Sequence, residues 1–226
     1  MELSIYILCT MVAFVFPGRP ALKTDQSVLE LFPEFQDIKA ELAAIKSKIS
    51  TTYIRWSRKQ CPINGYTELV YSGYAGGGKY ADSGSAAEPV CLPKDPDFVK
   101  TSGSGNGHMY GALFEHNDFA SNSHHQDVPC AVCRVKQASS VIMIPGKNRC
   151  YTGWNMEYHG YLASNSYYHA AAGSYVCIDI QPEYVSGGSS WNGNSKLFYD
   201  VVAQCGSLKC PPYKGGYSLT CVVCSK

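Results

Sequence analysis

The chain has 226 residues, a formal net charge of +1 and eleven cysteines. Nearly balanced charge excludes the basic footprint that nucleic acid or an anionic membrane surface would require. Eleven cysteines are too many for an ordinary reducing compartment and point to an oxidising one. With 17 Tyr, 21 Gly and only 16% charged residues, the composition favours short strands and turns over long solvated helices.

Leu3 to Phe16 is almost wholly apolar and is broken by Pro17-Gly18. A bilayer span takes about 20 apolar residues, so no membrane span is expected. Residues 1–21 read as a secretory signal peptide cleaved near Gly18 to Ala21. Removing it removes Cys9 and leaves an even number of cysteines, as a disulfide framework needs.

Residues 22–57 read as a linker and a coiled-coil helix. Phe35, Leu42, Ile49 and Trp56 fall on one a series, and Leu31, Ile38, Ile45 and Thr52 on the d series. Spacing that alternates four and three is the coiled-coil pattern. Leu at a with Ile at d in the central heptad favours three or more strands. Proline fits only the first turn of a helix, so the helix is expected to start near Pro33 and to run to about Trp56. The alternative is an amphipathic helix packed on its own domain.

The remainder reads as one β domain built twice, with a first repeat over 58–135 and a second over 136–226. Cys61 opens the first and Cys150 the second. Tyr71-Ser72-Gly73-Tyr74 returns as Tyr158-His159-Gly160-Tyr161, and Cys91 returns as Cys177. Pro96 to Val99 returns as Pro182 to Val185, and Leu113-Phe114 as Leu197-Phe198. Cys130-Ala131-Val132-Cys133 closes the first copy and Cys221-Val222-Val223-Cys224 the second. Matches in order, with cysteines in step, argue for duplication. Strand-like runs recur at Glu68 to Tyr71, Val141 to Ile144, Tyr175 to Ile178 and Leu197 to Ala203, with Gly, Pro, Asn and Ser between them. The fold class is therefore mainly β. The Cys-x-x-Cys pairs would suggest zinc or redox chemistry in a cytosolic chain. After a secretory leader, disulfide staples are the expectation.

This order of Cys-Pro, Leu-Val-Tyr-Ser-Gly-Tyr, a lone Cys and Cys-Ala-Val-Cys, repeated once, resembles the C-terminal non-collagenous domain of type IV collagens. It is more similar still to the spongin short-chain collagen-related family of invertebrates. The lead-in Thr51 to Trp56 and the bridge Val141 to Pro145 also resemble that group, so the resemblance covers about Thr51 to Lys226. It implies two intertwined β-rich subdomains, a homotrimer and assembly with extracellular matrix proteins. It also implies disulfides Cys61–Cys133 and Cys91–Cys130 in the first copy and Cys150–Cys224 and Cys177–Cys221 in the second. Cys205 and Cys210 are left to close a short loop. No Gly-X-Y run occurs, so no collagen triple helix can form; the heptad stands in its place.

No Gly-x-Ser-x-Gly, phosphate-loop or His-Glu-x-x-His pattern occurs, so no catalytic residue and no cofactor is expected. The polar stretch Thr101 to Gln126 holds His108, His116, Asp118, His124 and His125, with Asp127 just after it. Their spacing matches no standard metal site. The stretch reads as a mobile loop whose removal leaves the core standing. Tyr161, Tyr167, Tyr168 and Trp191 are candidate ligand-facing aromatics, able to stack on a sugar ring. The leading expectation is a secreted, trimeric, non-enzymatic matrix or interaction protein. The alternative is a secreted lectin-like defence protein that binds glycans on the same scaffold.

Overall fold

The computed structural model describes residues 26–99, 106–189, 191 and 193–226, with the side chains of 26–32 and 34 left aside. The expected signal peptide lies outside the described residues, as does the Leu31 side chain. The chain divides into two compact units, 1–45 and 46–226.

Among the described residues there is one helix, α1, which spans Gln26–Lys48 and carries Pro33 in its interior. Pro33 therefore does not mark its start, and the helix accommodates one missing backbone donor there. Lys46 and Lys48 in its last turn suit the partial negative charge of a helix C-terminus. The helix also stops short of Trp56. The next residues, Ser50-Thr51-Thr52-Tyr53-Ile54, are mostly β-branched or aromatic and fit a pleated surface better than a helical one. They open strand β1, Ser50–Trp56, which pairs antiparallel with β5 along its whole length. Thr52 and Trp56 are thus strand residues, not seam residues. Thr52 faces Arg134 in the register. Trp56 is buried, with its ring 6.3 Å from that of Phe198.

The other strands are β2 (Thr67–Gly77), β3 (Val90–Pro93), β4 (Tyr110–Phe114), β5 (Pro129–Lys136), β6 (Val141–Pro145), β7 (Asn155–Ser164), β8 (Val176–Asp179), β9 (Lys196–Asp200) and β10 (Thr220–Ser225). The fold is mainly β, as the composition predicts. β2 pairs β5, β3 and β4, all antiparallel. β7 pairs β10, β8 and β9 in the same sense. β1 lies along β5 and β6 along β10. Two parallel contacts join the groups: β1 with β8 at Trp56 and Ile178, and β4 with β9 from Ala112 to Phe114.

The core is shared between the groups. One cluster contains Trp56, Phe114, Phe119, Ile178 and Phe198. Another contains Tyr53, Val135, Tyr158, Leu162 and Val223. The stretch expected to be a dispensable loop contributes to the first: β4 lies within it, and Leu113, Phe114 and Phe119 are buried. Its following turns are tied down by Ser123 Oγ donating to the His116 carbonyl at 2.8 Å and by the His125 N–H donating to the Phe114 carbonyl at 2.7 Å. A polar composition hid the short apolar run Ala112-Leu113-Phe114 that anchors it.

Five disulfides staple the sheet: Cys61–Cys133, Cys91–Cys130, Cys150–Cys224, Cys177–Cys221 and Cys205–Cys210. The first four are the pairs that the resemblance implies, and the fifth closes the short loop expected of the two cysteines left over. The two long-range bridges of each group share one strand, β5 or β10. Gly73 and Gly160 complete the frame. A side chain at either would collide with a neighbouring carbonyl oxygen, that of Leu92 or of Ile178.

Candidate aromatic and histidine cleft

The parallel pairing of β4 with β9 determines what lies at the end of both strands. Leu113 sits opposite Leu197 and Phe114 opposite Phe198. One residue further, the Glu115 N–H donates to the Phe198 carbonyl at 3.3 Å. Glu115-His116 and Tyr199-Asp200 are thereby brought side by side from distant parts of the sequence. The loop after β7 forms the facing wall. Asn165 closes it, its Nδ2 donating to the carbonyls of Ala171 at 2.9 Å and Ala172 at 3.2 Å. Ser164 Oγ donates to the Gly173 carbonyl at 3.1 Å. The loop is pinned to the other group through the Ala171 N–H on the Tyr80 carbonyl, also 3.1 Å.

Between these walls lies a cleft of about 840 Å³, within the roughly 300–1,000 Å³ usual for ligand sites. Its lining includes His116, Asn165, Tyr167, Tyr168, His169, Tyr175, Tyr199 and Asp200. The Tyr199 ring meets His116 edge-on at 5.2 Å and His169 at 5.4 Å. Tyr167 and Tyr168 stand at 4.4 Å in a T-shaped pair, both largely exposed, Tyr167 at 95%. Behind His169 a row of rings continues through Tyr80 at 4.9 Å to Trp191, which stacks on His125 at 4.9 Å.

Several polar atoms here are buried without a hydrogen-bond partner among the described residues: Asn165 Oδ1, His169 Nδ1, Glu115 Oε2 and Lys196 Nζ. Glu115 Oε2 stands 3.7 Å from His125 Nε2. Burial, and next the nearby Glu115 carboxylate, pushes the Tyr199 hydroxyl up to about 12. Burial also holds the His169 imidazole below its ordinary value, so it favours the neutral form. It brings the Lys196 ammonium down to about 8. The Asp118 carboxyl is raised by burial and then by its contact with Asp200, against the pull of His116. Asp200 is oriented by Ser218 Oγ, which donates to Oδ2 at 2.6 Å.

Of the aromatics singled out from the sequence, Tyr167 and Tyr168 line this cleft together. Trp191 lies beside it in the ring row. Tyr161 packs against the core and meets Phe119 at 6.4 Å. It offers no free face comparable to Tyr167. Sequence reasoning did not single out Tyr199, Asp200 or Asn165 as site residues. The antiparallel β7–β9 pairing, Ala163 with Asp200 and Ser164 with Tyr199, brings Tyr199 and Asp200 to Asn165, and the parallel β4–β9 contact brings them to His116; neither leaves a local pattern. The histidines of the polar stretch meet as rings: His116 stacks on His124 at 6.4 Å, and His124 lies tilted against His125 at 3.7 Å. No group of three metal-ligating side chains occurs among the described residues. Among the same residues, no helix is long and apolar enough to cross a membrane.

No protein-family model matches the chain, and comparison with curated proteins gives no match.

Proposed function

We propose that this chain is a secreted, trimeric, non-enzymatic matrix or interaction protein, of the type its cysteine order resembles. α1 gathers three chains, and the disulfide-stapled double-β heads act together as a multivalent display. The observation that carries the reading is the apolar row on the helix and just past its end. Phe35, Ile38, Leu42, Ile45 and Ile49 are between 40% and 62% exposed in a single chain. Large apolar side chains at coiled-coil spacing are stabilised when copies bury them against one another.

The heads add a second support. The groups β1–β5 and β6–β10 have matching pairings, which suits a duplicated unit. Within one chain, the outer edge of β1 meets β8. Among the described residues, the corresponding edges of β6 and β3 meet no strand. A head-to-tail contact, β6 of one copy along β3 of the next, would repeat that arrangement between chains, and such a heterologous contact closes a ring where the rotation allows. Five disulfides suit an oxidising, extracellular setting.

Sedimentation of the secreted protein and of Ile45→Asp tests the reading. The wild type should sediment as three chains. The variant puts a charge from each chain into a dry layer and should fall to monomers at micromolar concentration. A wild type that is monomeric throughout overturns the proposal. A variant that stays trimeric moves assembly from the helix to the heads.

A second reading is favoured by one feature, the aromatic cleft beside β9: the head binds saccharide, as a lectin does.

A further inference from the structure

The cleft beside β9 contains groups that ask for a ligand of a particular kind. Tyr167 and Tyr168 present exposed ring faces at its mouth. Such faces stack on flat apolar surfaces, including the C–H face of a pyranose ring. In the cleft wall, Asn165 Oδ1 and His169 Nδ1 are buried and have no partner among the described residues, so a ligand hydroxyl meets them once these two lining side chains turn toward the cleft. Asn165 Oδ1 can only accept, whereas a neutral imidazole nitrogen donates or accepts according to its tautomer. Asp200 adds a carboxylate oriented by Ser218. Filling these positions takes a ligand that both donates and accepts at closely spaced points. A polyol does this, because each hydroxyl carries one donor and two acceptor lone pairs. A lysine or other ammonium group only donates.

Charge narrows the class. Asp118, Asp200 and Glu115 cluster at this end of the head, with Asp118 in contact with Asp200. Sulfated or uronic-acid chains would bring like charge against them in a partly desolvated cleft, where repulsion is poorly screened. The cation close enough to act on His169 is Lys196, but it is only 1% exposed and does not line the cleft, so it offers an anionic chain no direct contact. The volume, about 840 Å³, has room for more than one sugar ring.

We infer that this cleft binds a neutral oligosaccharide, one ring stacked on the Tyr167–Tyr168 pair and its hydroxyls shared among Asp200, Asn165 and His169. The inference rests on the saccharide reading above and goes beyond it in assigning the site and excluding anionic glycans.

Calorimetric titration of the full secreted chain tests it, with mannohexaose, cellohexaose, chitohexaose and a heparin hexasaccharide as probes. At least one neutral hexaose should bind, and heparin should not. The double variant Tyr167→Ala/Tyr168→Ala should weaken that binding about tenfold or more, the effect of about 1.4 kcal/mol of lost stacking. Because both rings are exposed, its melting temperature should match the wild type. Asp200→Asn should weaken binding by a similar factor. Binding of no hexaose up to about 10 mM sinks the inference and the saccharide reading together. Neutral binding that all these variants leave unchanged sinks the inference alone and leaves the reading to another face of the head. Heparin binding as tight as neutral binding overturns the proposed ligand class.

Discussion

β2 and β7 occupy like positions in their halves of the sheet. Each has a Cys-x-x-Cys strand on one edge and two short strands in succession on the other. Each carries one glycine pressed against a carbonyl, Gly73 or Gly160. Each also has a one-residue bulge opposite its Cys-x-x-Cys strand, at Val70 and at Glu157. What the bulged residue does differs completely. Val70 is 54% exposed, whereas Glu157 is 5% exposed and accepts hydrogen bonds throughout. Its Oε2 takes Tyr53 Oη at 3.1 Å and Thr67 Oγ1 at 3.0 Å, and its Oε1 takes Ser225 Oγ at 2.6 Å. A second divergence lies across the β4–β9 contact, where Ala112 of one half faces Lys196 of the other. The third is the connection after each of these strands. After β4 it is a histidine-rich turn closed by hydrogen bonds; after β9 it carries the Cys205–Cys210 bridge. Backbone pairing and long disulfides repeat, while the side chains that join the halves and build the cleft do not.

The largest effects should come from the frame that the two groups of strands have in common. Cys61–Cys133 and Cys150–Cys224 span 72 and 74 residues. In the chain-entropy model each constrains the unfolded chain by about 4 kcal/mol, so Cys61→Ser/Cys133→Ser and Cys150→Ser/Cys224→Ser should cost nearly the same. Cys205–Cys210, with a separation of 5, should cost only about 2 kcal/mol. Denaturant titration of the three paired variants measures this. A difference above about 2 kcal/mol between the two long bridges would break the equivalence of the halves.

The bulges sharpen the contrast. Glu157→Val leaves the hydroxyls of Tyr53, Thr67 and Ser225 without their acceptor, and should cost about 3 kcal/mol. Val70→Glu places the same side chain in the like position of the other strand, where it meets water, and should change stability by about 0.5 kcal/mol at most. Equal losses in the pair, read from denaturation midpoints, would mean that the bulge itself, not the carboxylate, joins the halves.

Much of this frame was legible in the sequence because it is written in residues with few uses. Cysteines in step, glycines at fixed places in matching Tyr-x-Gly-Tyr strings, and apolar runs at Val141 to Ile144 and Leu197 onward all fall on strands or bridges. The helix end is ambiguous in the sequence because Thr52 and Trp56 continue a heptad by position while their neighbours favour a strand. Local β-branched content and pairing with β5 outweighed three-and-four spacing. The cleft was half legible. Tyr167 and Tyr168 are adjacent in sequence and Asn165 lies just before them, but Tyr199 and Asp200 join them only through tertiary pairing. Glu157 and Lys196 gave no sign at all, since a charged residue in a strand ordinarily faces solvent.

Lys196 offers the smallest and most specific test of how the halves differ. Its counterpart across the sheet, Ala112, is an ordinary buried residue. Lys196 is only 1% exposed, its stem lies against Gly77, and its Nζ has no hydrogen-bond partner among the described residues. Burial alone lowers its ammonium from the usual 10.5 to about 8. Between those values the unfolded chain holds a proton that the folded chain does not. Stability must therefore rise with pH over that window, by at most about 1.4 kcal/mol per pH unit, and below about pH 8 the full penalty is present. Above pH 10 the opposite sign enters: Tyr53 and Tyr199 keep their protons longer in the fold than out of it, so stability falls as pH climbs further. The clean interval is pH 8 to 10. Lys196→Met keeps the stem's packing and removes the amine. It should raise stability at pH 7 by about 1–2 kcal/mol, and should flatten the slope between pH 8 and 10. Urea denaturation of both proteins at several pH values in that interval reads it directly. A variant that is less stable than wild type, with the slope unchanged, would mean that the amine is held by a partner and that this position stabilises the fold through its charge.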